Sequence, residues 1–277
     1  PSQWSYDYYL TAGIPQNQLR LTGSEWSDTL VQARGSISER RIRLVESILN
    51  HSRRKRSSKK CSSQAKQRII IISWPPNQYP RHALGCATYM DLCRQFITSI
   101  HAIQAADIAN VVVSLHPTLT DQKLLARIQD AGIYVLRSNL IEYVDCADLF
   151  VSTVSSTSFW ALQCGIPTIN FDGYMYGYTE FDQAGAITIK TPSELFTVCK
   201  NLLENPEQFA SVRLRIAERS SLFAETGGIN KQRIMNGLAE LVAAADHATS
   251  PLSVATDAGA TLTVQTVSTS LDGQDAA

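Results

Sequence analysis

Four hydroxyl residues stand in a row at Ser155, Ser156, Thr157 and Ser158, where a short apolar strand gives way to a helix. A helix start carries unpaired backbone N–H groups and the positive end of the helix dipole, and Ser and Thr are favoured caps there. Hydroxyls and free amides converging on one point make a phosphate site. A serine-capped turn with nothing bound has the same local sequence, so both readings stand on these residues alone. The wider stretch Asp148–Phe171 runs strand, hydroxyl block, helix, Gly165-Ile166-Pro167, strand. Other groups able to do chemistry fall in clusters: Trp74, Asn77, Arg81 and His82; His116; Arg137, Ser138 and Asn139; and the tyrosines Tyr174, Tyr176 and Tyr178 of a Gly/Tyr-rich loop over 172–182.

The elements that position these clusters alternate between strand and helix. Ile69–Ser73 (IIIIS) is β-branched, too short for a helix and apolar on both faces, as a central strand of a parallel sheet must be. Tyr89–Ala105 places Leu92, Phe96, Ile97, Ile100 and Ile103 at helical spacing. Asn110–Leu115 is the next buried strand, Asp121–Ala131 a helix closed by Gly132, and Ile133–Leu136 a third strand. Ile141–Cys146 gives one or two helical turns, Ala186–Ile189 a short edge strand, and Ser193–Leu203, Pro206–Arg219 and 228–245 three helices. Earlier, Gln3–Ala12 reads as a helix stopped by Gly13, Leu19–Thr22 as a brief strand, and ERRIRLVESILN as an amphipathic helix. Alternating strands and helices from Ile69 to Ile189 predict right-handed βαβ units and a doubly wound parallel sheet, Rossmann-like. Ligands of such sheets bind at the carboxyl ends of the strands where the order reverses. Every cluster named above follows a strand.

The chain has 277 residues, enough for a full core, and 44% of them are hydrophobic. Its formal charge is zero, with 25 basic and 25 acidic residues. Six of the basic residues (Arg53, Arg54, Lys55, Arg56, Lys59 and Lys60) lie in one run, so 19 face 25 elsewhere. The acidic remainder argues against a nucleic-acid-gripping body. The run belongs to a Ser-rich segment, 51–68, read as a solvated linker, with a nuclear signal or a patch for an acidic membrane surface as the other readings. The six cysteines include no CxxC pair, so zinc is not expected and a reducing compartment is the simplest setting. The first residues lack the pattern of a signal peptide, and no apolar run spans a bilayer. From about residue 247 hydrophobic periodicity stops, and 247–277 reads as a disordered tail.

The ordered set of His116-Pro117, Ala147-Asp148, Ser155-Ser156-Thr157, Ala161-Leu162 and Gly165-Ile166-Pro167 resembles the nucleotide-sugar-binding half of GT-B glycosyltransferases. The nearest group is that of the UDP-N-acetylglucosamine 2-epimerases and CDP-glycerol glycerophosphotransferases. Upstream, GIPQNQLRLTGSEWSD is similar to the segment by which such proteins leave their N-terminal domain. The resemblance implies that 1–50 closes an incomplete acceptor-side domain, with 69–246 as the nucleotide-sugar domain. It implies that Ser155, Ser156, Thr157 and Ser158 hold a diphosphate, that His116 donates to a phosphate or leaving-group oxygen, and that the backbone of Asn139, Leu140 and Ile141 meets the base. Trp74, Tyr174 and Tyr176 are the sugar-side candidates. Relatives carry Glu before Ala to bind the ribose hydroxyls; here Trp160 precedes Ala161, and an indole is expected to pack instead. The implied activity is glycosyl or glycerophosphoryl transfer from a nucleotide-activated donor to an acceptor the sequence does not name, in surface polysaccharide or glycoconjugate synthesis. A UDP-sugar 2-epimerase and a non-catalytic binding module are the alternatives. No cofactor or metal is expected, and the implied setting is cytoplasmic, with peripheral membrane contact through the basic linker.

Overall fold

A computed structural model describes residues 3–55, 68–77, 83–116, 119, 121–223 and 228–249. The helices, in chain order, are α1 (Gln3–Thr11), α2 (Glu25–Ala33), α3 (Ile37–Lys55), α4 (Tyr89–Ala105) and α5 (Gln122–Asp130). Then come α6 (Thr157–Gln163), α7 (Glu180–Gln183), α8 (Glu194–Glu204), α9 (Pro206–Phe223) and α10 (Asn230–Thr249). The strands are β1 (Ile69–Ser73), β2 (Asn110–Ser114), β3 (Tyr134–Val135), β4 (Leu149–Ser152), β5 (Thr168–Phe171) and β6 (Ile187–Ile189). The chain divides into residues 1–231, which hold the sheet, and 232–277. Of the second unit, the continuation of α10 is described, and it exposes Met235, Leu238, Leu241 and Val242.

All six strands are parallel, in the order β3-β2-β1-β4-β5-β6. The four isoleucines of β1 explain the double winding. Ile70 and Ile72 join a core with Leu92, Phe96 and Ile100 of α4 and Leu195 of α8. Ile69 and Ile71 point the other way, into a second core with Leu30 of α2 and Leu44 and Ile48 of α3. Each buried isoleucine contributes about 1.5–3 kcal/mol by leaving water, which only a strand covered on both faces collects in full. The chain winds outward from β1 to β3, then returns past β1 to lay down β4. The order therefore reverses between β1 and β4, and their carboxyl ends open on one crevice.

The helices α2 and α3 lie against this sheet within the first unit. Buried Arg40 of α3 reaches Asp145 with both terminal nitrogens, at 2.8 and 2.6 Å. Arg41 donates to Asp148 at 2.7 Å, and the same carboxylate accepts from the amide of Ile69. Arg34 donates to the carbonyl of Gln163 at 2.6 Å, a cation at the negative end of α6. Asp28 accepts from the amides of Asn230 and Lys231, which sets the start of α10 two residues past Gly228.

Several boundaries differ from expectation. Leu19–Thr22 is not a strand: Leu19 closes a 3-10 turn over Gln16–Gln18, and β3 and β6 occupy the two sheet edges. The helix α3 continues to Lys55, so the linker begins later than residue 51; residues 56–67 lie outside the described ones. The loop 172–182 ends in a helical turn, α7. The helix α9 runs on to Phe223, and α10 extends through Thr249 into the segment read as tail, whose remainder is also outside the described residues.

Candidate functional site

The loops after β1 and β4 leave the carboxyl ends of the strands at the reversal point. After β4, Val154 turns the chain at φ +41°, and Ser155 accepts from the amide of Thr157 at 3.3 Å and its hydroxyl at 3.0 Å. That pair caps α6. At the far end Gly165, at φ +71°, lets its amide reach the Leu162 carbonyl and that of Ile166 reach the Ala161 carbonyl, a Schellman stop. The hydroxyl block does not act as one unit. Ser158 is fully buried and its hydroxyl pairs with that of Ser152, so it belongs to the core and not to a ligand. Thr157 spends its hydroxyl on Ser155. Ser156 is exposed at the rim and makes no cap bond.

The β1 side corrects two of the sugar-side expectations. Trp74 is 2% exposed and packs on Phe96, ring centroids 5.9 Å apart, because the residue after Ser73 still faces the α4 core. Tyr174 is 6% exposed and donates its hydroxyl to the carbonyl of Pro76 at 2.8 Å. Tyr89 does the same to Pro75 at 2.8 Å, so two tyrosines fix the Pro75-Pro76 backbone. Burial pushes the Tyr89 hydroxyl above its ordinary range, keeping it a donor. Tyr176 is half-buried and stacks parallel on Tyr178, 5.7 Å away at 9°. Tyr178 is 51% exposed, and it, not Tyr174, presents an aromatic face to solvent. Buried Asp172 rigidifies this loop by accepting from the amides of Tyr176 and Gly177 at 2.8 and 2.9 Å. Arg81 and His82 lie outside the described residues.

His116 stands exposed just past β2 on the same strand-end rim, its carbonyl accepting from Leu119 at 2.8 Å. Asn139 caps the next turn through Ile141 N at 3.3 Å; Leu140 and Ile141 bury their side chains. The amides of Ile141, Glu142 and Tyr143 are all used within that turn, so a base would have to compete for them. Trp160 packs on Trp26 of α2, centroids 5.7 Å apart. Its ring thus serves the α2–α6 contact, the packing role expected from the sequence.

Two polar residues at this site escaped the sequence reading. Thr153 is buried with its hydroxyl unpartnered, and Asn170 is buried in β5 with its Oδ1 accepting from Val154 N at 3.1 Å. The signal was there in part: each is a polar residue at the carboxyl end of an otherwise apolar strand. Among the described residues no three His, Cys, Asp or Glu side chains cluster as metal ligands. Burial pushes the thiols of Cys93 and Cys164 up to about 11 and that of Cys146 up to about 12, so none of these three is an activated nucleophile.

No family profile and no curated protein matches the sequence. Solved structures do match. The UDP-GlcNAc 2-epimerase of Neisseria meningitidis bound to UDP-GlcNAc aligns with a TM-score of 0.54 at 13% identity, over 87% of this chain and 60% of that one. The S. aureus MnaA-UDP co-structure aligns with a TM-score of 0.56 at 11% identity, over 88% and 58%. The wall teichoic acid polymerase TagF, in a CDPG soak, aligns with a TM-score of 0.56 at 14% identity, over 88% and 57%. At these identities the likeness is one of fold. It is the GT-B likeness expected from the sequence. The chain spans less than two thirds of the length of each of these proteins. No helix among the described residues is long and apolar enough to cross a membrane.

Proposed function

We propose that this chain is the donor-binding part of a GT-B-type transferase that moves a glycosyl or glycerophosphoryl group from a nucleotide-activated donor in surface polysaccharide or glycoconjugate synthesis. The observation that carries the reading is the position of the serine turn at the reversal point between β1 and β4. There the hydroxyls of Ser155 and Ser156 donate to a donor diphosphate, and their hydrogen bonds strengthen as the nucleoside diphosphate departs. His116, on the same rim, donates to a phosphate or leaving-group oxygen. The exposed face of Tyr178, backed by Tyr176, packs on the transferred group. The acceptor side comes from the part of the protein outside this chain's match. Two of the aligned structures hold UDP-GlcNAc or UDP and one was soaked with CDPG, which favours a UDP- or CDP-linked donor.

The same fold serves the aligned 2-epimerase, so a UDP-sugar 2-epimerase is the second reading. Calorimetric titration with UDP and CDP tests the common core of both. Binding is expected, and Ser156→Ala should weaken it by roughly 1–2 kcal/mol, the scale of one charge-assisted hydrogen bond. No binding by the protein carrying its full length would sink both readings. An unchanged affinity in Ser156→Ala would reduce the serine block to a helix cap. Where binding is found, incubation with UDP-N-acetylglucosamine separates epimerisation, which needs no acceptor, from transfer, which does.

A further inference from the structure

The serine turn is held in place by side chains that lie outside it. Val154 sits in the left-handed region at φ +41°, where a β-branched residue is strained and persists only if its surroundings compel it. The compulsion is Asn170, 1% exposed in β5, whose Oδ1 takes the Val154 amide at 3.1 Å. Asn170 Nδ2 donates to Thr188 Oγ1 of β6 at 3.3 Å, and Thr188 gives its own hydrogen to Asp182 of α7 at 2.6 Å. Each donor along this relay meets one acceptor, so the directions are set. The Val154 amide needs an oxygen, the Asn170 amide nitrogen needs the Thr188 oxygen, and the Thr188 proton is engaged by a carboxylate.

We propose that Asn170 is the positioning residue of the candidate site. It selects the left-handed Val154 turn and thereby fixes where Ser155 and Ser156 stand before the donor diphosphate. Through Thr188 and Asp182 it also ties that turn to α7, the element that closes the tyrosine loop. A buried amide within a strand weakens a sheet unless its polar atoms are matched; here the matching partners are the strained turn and Thr188 of β6, which is itself bonded to Asp182. This role rests on the diphosphate reading above.

The test is a double-mutant cycle read by calorimetric titration of UDP and CDP into the full-length protein. Asn170→Ala removes the acceptor, and Val154→Gly supplies a residue that takes positive φ at no steric cost. Asn170→Ala is expected to weaken nucleotide binding by about tenfold or more, and adding Val154→Gly to bring it back to within about threefold of wild type. A residue that only supports the sheet would not be rescued by a glycine in the turn after another strand. If Asn170→Ala alone fails to fold, recovery of both folding and binding on adding Val154→Gly supports the positioning role equally. A loss that the glycine does not restore, or no loss at all, overturns the positioning role while leaving the diphosphate reading intact. Wild-type protein that binds neither nucleotide overturns the reading itself, and the positioning role falls with it.

Discussion

The ion pair between Arg40 and Asp145 gives the sharpest stability prediction. Both residues are 6% exposed, and two guanidinium nitrogens lie 2.8 and 2.6 Å from the two carboxylate oxygens. Arg40 also donates to the carbonyls of Ala33, at 2.6 Å, and Glu142. The pair therefore pins α2, α3 and the turns before β4 at one point. Asp145→Leu would leave a buried guanidinium facing neutral carbonyls in place of a carboxylate. An uncompensated buried charge of this kind costs about 3–5 kcal/mol. That is a large fraction of the roughly 5–15 kcal/mol that holds a typical protein folded. In a unit of this size 1 kcal/mol moves Tm by roughly 2–4 °C, so a fall of about 6–20 °C is expected. Thermal and urea unfolding followed by circular dichroism measure it. The double variant Arg40→Met/Asp145→Leu removes both charges and should regain at least about 2 kcal/mol of the loss, although the carbonyls of Ala33 and Glu142 lose their donor. A single variant that loses under about 1 kcal/mol, or a double variant no better than the single, would refute the claim that the pair is matched against burial.

Two further substitutions isolate single features. Thr153→Val keeps the shape and removes a buried hydroxyl that has no partner, so it should raise stability by roughly 1 kcal/mol in denaturant unfolding; a loss instead would mean the hydroxyl has a bonded role. Glu194 accepts from the hydroxyl and amide of Thr191, at 2.8 and 2.7 Å, and from the amide of Lys190, which holds its carboxyl below the ordinary value of 4.5. A carboxylate depressed in the folded state contributes stability above its unfolded value, lost as pH falls through the lower folded one. Wild type should therefore exceed Glu194→Gln in Tm at about pH 7, with the gap closing by about pH 2. A gap that does not change with pH would show that the carboxylate's charge is not its source.

What the sequence made legible follows from how far apart the deciding contacts lie. The run Ile69–Ile72 has only one stable use, a strand covered on both faces, and the alternation of strands and helices then implies the doubly wound sheet. Leu19–Thr22 failed because a strand needs a partner as well as a propensity, and this segment pairs with none of the six. The hydroxyl block shows the same divide within a single motif. Its place at a helix start was visible in the local order of residues. The division of labour within it was not, because Ser158 is claimed by Ser152 across the turn, and Val154 is held by an asparagine sixteen residues further on. Likewise Trp74 and Tyr174 looked available because both follow strands. The core behind β1 took one, and the carbonyl of Pro76 took the other. Tyr178 keeps an open face for the converse reason: Tyr176 stacks on one side of its ring, and half of its surface stays in solvent. The proposed donor site therefore draws on what packing left at the rim, the exposed Ser156 beside Ser155 and the open face of Tyr178, and their variants test it.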